Sequence, residues 1–174
     1  IKPFESTHKV LKKLKQKYVL ALLSDSDGKR TIKFERIRKL GIGKYFNLIA
    51  PTDDIKVNKP NPKCLRYVLK RIKMKPEECI SIGDKPEVDL KVAKELGMTT
   101  IWVKKGWWTR ELGKKTFDYV DHEVDNLSRA LKIIEDYFYF YLQPFDEERA
   151  KNLIRIQPDL LKDKKTGRER REEE

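Results

Sequence analysis

The sequence predicts an α/β fold built on a doubly wound, mainly parallel, Rossmann-like sheet. Short apolar segments alternate with amphipathic segments of helical length along most of the chain, which is typical of parallel strands joined by right-handed helical crossovers. Polar residues follow several of these strands directly, as expected where ligands bind at the carboxyl ends of strands. The 174 residues suffice for one such core.

The predicted strands are short and mostly apolar, and residues 18–23 are apolar throughout, as in a strand covered on both faces. In order, they span residues 18–23, 46–50, 79–82, 99–103 and, as a last short strand, 117–120. The predicted helices each carry an apolar stripe and a start or stop signal. In order, they begin at Ser6 or Thr7, end at Gly41, begin at Pro62 after the capping residue Asn61, span residues 86–96 before Gly97, and span residues 126–141.

The alternation of strands and helices ends after Gln143-Pro144, which divides the chain into two regions. We expect residues 1–142 to form the α/β core and residues 143–174 to form an extension. One further helix is predicted at residues 147–156. Residues 162–174 carry eleven charges in thirteen positions, so we expect this tail to be disordered.

The composition bears on partners and compartment. Charged residues make up 39% of the chain and the formal net charge is +12. A basic chain can bind nucleic acid, but here Lys and Arg are scattered among acids through the predicted helices, which is typical of a heat-adapted surface. We therefore expect no specific nucleic-acid partner. No apolar run approaches the roughly 20 residues that cross a bilayer, so we expect no membrane partner.

The cysteines and the first residue give two further expectations. Cys64 and Cys79 lack metal-ligand spacing, and Cys79 falls in a predicted buried strand, which favours a reduced, cytoplasmic protein. The first residue is Ile1 rather than Met, so we expect the natural start to lie elsewhere.

Three polar residues follow three predicted strands at one edge of the sheet. Ser24 comes directly after residues 18–23, Lys59 lies in the loop after residues 46–50, and Asp84 closely follows residues 79–82. A hydroxyl binds phosphate oxygens, an ammonium neutralises phosphate charge, and a carboxylate binds Mg²⁺. Asp89 lies on the first turns of the next helix and adds a second carboxylate. The group suits phosphoryl transfer.

These residues and their neighbours resemble three motifs of the haloacid dehalogenase superfamily. Ser24 after an apolar strand resembles motif two, Lys59-Pro-Asn-Pro62 resembles motif three, and Gly83-Asp84 with Asp89 resembles motif four. Residues 94–103 are similar to the segment that follows motif four, and the resemblance covers about residues 3–131. It implies a phosphatase in which Ser24 and the amides of Asp25 and Ser26 bind the phosphoryl group. Lys59 would then hold nucleophile and phosphate, and Asp84 and Asp89 would hold Mg²⁺.

One motif of the family is missing from the expected place. Motif one is an apolar strand ending in Asp-x-Asp, whose first Asp is the nucleophile, but none of the 23 residues before Ser24 is an Asp. In a rival placement Asp25 is the nucleophile and Thr52 belongs to motif two. Only six residues then separate Thr52 from Lys59, fewer than the roughly dozen that a parallel crossover needs. We prefer the first placement, in which Asp27 caps a helix.

The resemblance implies a Mg²⁺-dependent hydrolase of a small phosphate monoester, acting through an aspartyl-phosphate whose nucleophile this chain lacks. An upstream segment or a second chain would then supply the nucleophile strand, which in the family's sheet order lies between the strands ending at residues 23 and 82. The alternatives are a truncated or split binding subunit without turnover and a basic nucleic-acid-binding protein. Without the central strand, the sheet should be loosely folded, pair those two strands directly, or accept a strand from elsewhere.

Overall fold

The computed structural model describes residues 6–25, 30–105, 109, 112 and 115–138. The helices and strands follow one another in a βα alternation. In chain order they are α1 (Thr7–Lys15), β1 (Ala21–Ser24), α2 (Arg30–Lys39), β2 (Leu48–Pro51), α3 (Pro62–Ile72), β3 (Ile80–Gly83), α4 (Pro86–Leu90 as a π-helical turn, then Lys91–Glu95 as α-helix), β4 (Thr99–Val103), β5 (His122–Val124) and α5 (Leu127–Phe138). The predicted α/β class is confirmed.

All described strand pairs are parallel, and they fall into two sheets. Strand β1 pairs with β2, and in the second sheet β4 lies between β3 and β5. Within the described residues, β1 and β3 each pair on one side only and are not hydrogen-bonded to each other. The side chains of β1 are accordingly only half-buried, and Ile82 of β3 is exposed.

Hydrophobic clusters on both faces tie the two sheets together. Helices α1 and α5 cover one face, where Leu20, just before β1, and Ile80 of β3 pack on the same cluster as Ile101. Helix α3 covers the other face, where Leu23 of β1 and Cys79, just before β3, pack on one cluster. The edges of β1 and β3 therefore share a core above and below without pairing with each other.

The capping and stop signals are largely confirmed. The side chain of Asn61 accepts a hydrogen bond from the amide of Lys63 at the start of α3. Gly41 follows α2 with φ +64°, in the left-handed region that glycine adopts without steric cost. The N-cap residue of α1 is Ser6, but its side chain makes no capping hydrogen bond.

Two predicted strands lie elsewhere in the structure. Strand β1 begins at Ala21 rather than at residue 18, because residues 17–20 form the turn and linker after α1. The last strand was predicted at residues 117–120, but β5 is His122–Val124. Residues 117–120 form a turn instead, closed by the bond from the amide of Val120 to the carbonyl of Phe117. The aromatic residues Phe117 and Tyr119 made this segment resemble a strand in the sequence. In the structure their rings pack on each other within the turn.

The predicted buried face of α4 is also wrong. Spacing along a regular helix placed Val88, Val92 and Leu96 inward, but each of them is only half-buried. The buried residues of this segment include Pro86, Leu90 and Ala93. The helix opens with a π-helical turn, and its wider turn rotates the side chains that follow.

Several predictions concern residues that lie outside the described part. They are the cap role of Asp27, the role of Ser26, the helix at 147–156, the tail at 162–174 and the end of α5 beyond residue 138. The division at residue 142 stays a prediction. Both cysteines are free thiols, with Cys64 buried and Cys79 partly buried. Within the described part, no helix combines the length and apolar character that a membrane span requires.

Candidate active site

Lys59 is the centre of the candidate site. Its ammonium lies 2.6 Å from Oδ1 of Asp89 and 3.8 Å from Oδ2 of Asp25, and its backbone amide donates to Oδ1 of Asp25 at 3.0 Å. The loop that carries Lys59 is ordered by a 2.7 Å bond from the Thr52 hydroxyl to Asn58 Oδ1. The lysine therefore joins the residue after β1 to the first turn of α4.

The sheet edges explain why these residues meet. Asp25 directly follows β1, and Asp89 lies in the turn that follows β3, so both belong to the carboxyl end of a parallel strand. The Lys59 and Asp89 side chains are only 17% and 13% exposed, so solvent screens their interaction less than it would at the surface. The predicted grouping of Lys59 with Asp89 is thus present in the structure.

Asp89 is positioned by the backbone around it. Its Oδ2 accepts a 3.1 Å hydrogen bond from the amide of Lys85, and its carbonyl accepts one from the Ser81 hydroxyl at 3.2 Å. Its side chain fills the space beside Gly83, where an added Cβ would lie 2.4 Å from Asp89 Cβ and 2.7 Å from Oδ2. Only glycine at position 83 leaves room for this carboxylate.

Asp84 lies next to the same group. Partial burial, and then the negative charge of Asp89, raise the pKa of Asp84 above its ordinary value. Asp84 directly follows Gly83, the residue against which the Asp89 side chain packs. Because Asp84 keeps an exposed surface, solvent screening limits the effect. The indole Nε1 of Trp102, which is fully buried, donates to the Asp84 carbonyl at 3.1 Å.

Sequence reasoning missed three of these contacts. Trp102 anchors the Asp84 backbone, and a tryptophan within an apolar strand could have suggested this because a buried indole N–H needs an acceptor. The bond between the Asp25 carboxylate and the Lys59 amide joins segments that are distant in the chain. The close approach of Asp89 to Gly83 depends on the π-helical turn. The sequence pattern carried no signal for them.

The remaining predicted residues lie at the same edge. Ser24 is the last residue of β1 and is half-buried. The carboxylate of Asp25 is engaged with the ammonium and the backbone amide of Lys59. Thr52, the motif-two residue of the rival placement, is 1% exposed and donates its hydroxyl to Asn58.

A cavity of about 630 Å³ opens beside the loop that carries Lys59. Its walls combine aromatic and charged side chains. They are Pro60, Glu87, Lys91, Val92, Glu95, Phe117 and Tyr119. The ring of Phe117 contacts Trp102 edge to face, with centroids 5.6 Å apart, and lies tilted against Tyr119, with centroids 5.2 Å apart. The cavity is large enough for the organic part of a small ligand.

The carboxylates at this edge are oxygen donors of the kind that Mg²⁺ prefers. The described residues contain no cluster of three or more His, Cys, Asp and Glu that could hold a metal by itself. Mg²⁺ is commonly bound by one or two carboxylates together with waters and substrate phosphate oxygens. Asp84 and Asp89, which we call the metal seat, meet that lower requirement. Partial burial and then the Asp89 charge raise the pKa of Asp84, and a bound cation would favour its charged form.

Parallel strands with helices on both faces define a Rossmann-like α/β protein, here with a lysine and two carboxylates at the carboxyl ends of the strands. The model of the haloacid dehalogenase-like hydrolase family matches residues 1–103, and the chain belongs to that family. Residues 84 and 89 lie inside this match, so the resemblance in the motifs and the family assignment agree.

Named relatives agree with this class. Glyceraldehyde 3-phosphate phosphatase of Pyrococcus furiosus is 32% identical over 72% of this chain and 51% of its own length. The enzyme of the same name from Methanocaldococcus jannaschii is 30% identical over 78% of this chain and 58% of its own length. The chain thus spans about half the length of the curated relatives it matches.

A solved structure gives the same result for the fold. The crystal structure of a phosphatase of this family from Thermococcus onnurineus superposes with a TM-score of 0.65 at 26% identity. The superposition covers 75% of this chain and 57% of the Thermococcus onnurineus chain. Its fold agrees with the two parallel sheets and flanking helices described above.

Proposed function

We propose that this chain contributes the phosphate- and metal-binding part of a Mg²⁺-dependent phosphatase that acts on a small phosphate monoester. The observation that carries the proposal is the Lys59 ammonium held between Asp25 and Asp89 at the carboxyl ends of β1 and β3. A cation there attracts both a phosphate and an attacking carboxylate. The names of the phosphatases that resemble this chain support this substrate class.

The roles follow from the chemistry of each group. The Ser24 hydroxyl and the amides of Asp25 and Ser26 donate hydrogen bonds to phosphoryl oxygens, and Lys59 neutralises part of the developing charge. Asp84 and Asp89 hold the metal. When bound, Mg²⁺ supplies a positive charge that orients the phosphate and screens it from an anionic nucleophile.

The nucleophile of the proposed reaction is a carboxylate on a strand inserted between β1 and β3. Its oxygen bonds to phosphorus while the ester P–O bond breaks, and the leaving alkoxide oxygen takes a proton from solvent water to become the alcohol. Water then attacks the aspartyl-phosphate and releases inorganic phosphate, which divides hydrolysis into two easier steps. Among the residues that the structure describes, no strand pairs with the facing edges of β1 and β3, which supports this part of the proposal because the N–H and C=O groups of such edges can accept a parallel strand.

The experiment is hydrolysis of an aryl phosphate with Mg²⁺, by the 174 residues alone and by the same chain extended with the residues encoded directly upstream. We expect turnover only in the extended chain, and loss of that turnover in Lys59→Ala and Asp84→Asn. An extended chain that folds but has no activity would contradict the proposal. Turnover by the 174 residues alone, lost in Asp25→Asn but kept in Ser24→Ala, would instead make Asp25 the nucleophile.

A binding subunit without turnover is the second candidate, and it is favoured as well by the edges of β1 and β3 that have no partner strand within the described part of the chain. In that case the 174 residues bind inorganic phosphate through Lys59, and the extended chain remains inactive. Calorimetric titration with phosphate, compared with Lys59→Ala, distinguishes a phosphate-binding chain from one that binds nothing.

A further inference from the structure

We infer that Lys59 controls access of the cation to the metal seat, so that phosphate and Mg²⁺ bind cooperatively although each also binds alone. This inference rests on the proposed function, because it assigns a regulation to the same site. In the structure the Lys59 ammonium is paired with the Asp89 carboxylate. A cation can bind this carboxylate once an anion has attracted the ammonium away from it.

The contacts of Asp89 carry the argument. One carboxylate oxygen, Oδ1, lies 2.6 Å from the Lys59 ammonium, and the other, Oδ2, receives the Lys85 amide at 3.1 Å. Mg²⁺ binds carboxylate oxygens at about 2.0–2.1 Å. A cation on Oδ1 would therefore stand beside an ammonium, and repulsion between the two positive charges at that distance is large in a partly buried site.

The lysine has an alternative partner within reach. Oδ2 of Asp25 lies 3.8 Å from the same ammonium, and Asp25 also holds the backbone of Lys59 through the 3.0 Å bond to its amide. The ammonium can move towards Asp25 while its backbone stays fixed. A phosphate bound at the end of β1 attracts the ammonium in the same direction, because its two negative charges lie on that side of the site.

Linkage gives the measurable consequence. If phosphate removes the ammonium from Asp89, phosphate tightens the binding of Mg²⁺, and Mg²⁺ tightens the binding of phosphate by the same factor. A coupling of this kind is on the order of tenfold. Removing the ammonium should also tighten the binding of Mg²⁺ alone by a similar factor, because Asp89 then has no competing cation.

The experiment is calorimetric titration of the folded chain with MgCl₂, with and without saturating inorganic phosphate. The variants are Lys59→Met, which keeps the apolar stem and removes the charge, and Lys59→Gln, which keeps a donor for Asp89. Lys85→Met is the matched control. Like Lys59, Lys85 carries a charge that lowers the pKa of Asp84. Its bond to Asp89, however, comes from the backbone amide, which the substitution Lys85→Met keeps.

We expect Lys59→Met and Lys59→Gln to bind Mg²⁺ on the order of tenfold more tightly than the wild type without phosphate, with most of the phosphate effect lost. Lys85→Met should tighten Mg²⁺ binding much less and keep the phosphate effect. Equal tightening of Mg²⁺ binding in Lys59→Met and Lys85→Met would show that any nearby positive charge weakens the site, and would overturn the inference. Full coupling between phosphate and Mg²⁺ in Lys59→Met would overturn it as well. These results leave the proposed function intact, whereas Mg²⁺ binding in no variant would overturn the inference and the metal seat together.

Discussion

Gly83→Ala should destabilise the protein because of a contact specific to this fold. The added Cβ would lie 2.4 Å from Asp89 Cβ and 2.8 Å from Cγ. Carbon atoms prefer about 3.5–4.0 Å, so the Asp89 side chain must move by roughly 1 Å. That movement breaks or lengthens its bonds to the Lys59 ammonium and the Lys85 amide.

The expected loss follows from these two effects. Overpacking costs about 1–3 kcal/mol, and a hydrogen bond to a charged group contributes about 1.5–3 kcal/mol. Because the two partly overlap, we expect Gly83→Ala to lower the free energy of unfolding by about 2–4 kcal/mol. Urea unfolding measured by circular dichroism gives this value directly.

A double-mutant cycle isolates the cause. In an Asp89→Gly background the clashing atoms are absent, and alanine is favoured over glycine inside a strand by roughly 0.5–1 kcal/mol. Gly83→Ala should therefore be neutral or stabilising in that background, which reverses its sign. A similar loss in both backgrounds, or no loss in the wild-type background, would refute the reasoning.

Three further predictions concern metal, pH and charge. Mg²⁺ should raise the melting temperature by mass action, and Asp84→Asn should abolish that shift; equal shifts in both proteins would contradict the metal seat. Burial alone would raise the pKa of Asp121, but bonds from Lys94 and Thr100 outweigh it and hold the pKa below 3.8. Its stabilisation is thus present above pH 3.8 and lost as the pH falls through the lower folded value, so acid unfolding should begin at higher pH in Asp121→Asn. Binding to duplex DNA should be weak, indifferent to sequence and steeply reduced by salt, and tight sequence-selective binding near physiological salt would instead make this a nucleic-acid-binding protein.

The candidate site was predictable to the extent that it depends on strand ends. Lys59 and Asp89 lie far apart in the sequence, yet both were expected at one edge because parallel strands direct their carboxyl ends to the same side. The structure brings their charged atoms to 2.6 Å. The roles of Asn61 as a helix cap and of Gly41 as a helix stop were equally predictable, because both depend on local backbone geometry.

The parts that failed depend on contacts that no local pattern encodes. Phe117 and Tyr119 resemble strand residues because aromatic side chains favour strands, but here they pack against each other and on Trp102 in a turn. The π-helical turn at residues 86–90 changes which side of α4 is buried, and periodicity assumes a regular helix. The contact of Asp25 with Lys59 arises only once β1 and the loop before α3 are folded together.

The division of the strands into two sheets has a consequence for how the chain folds. Each described strand pair joins strands that are consecutive in the chain, β1 with β2, β3 with β4 and β4 with β5, so no described pairing waits for a strand of the other sheet. We expect each sheet to form a foldon, joined to the other by the shared clusters. Native-state hydrogen exchange should show amides of β1 and β3 opening more readily than those of β4. An inserted strand would unite the two foldons into one cooperative unit.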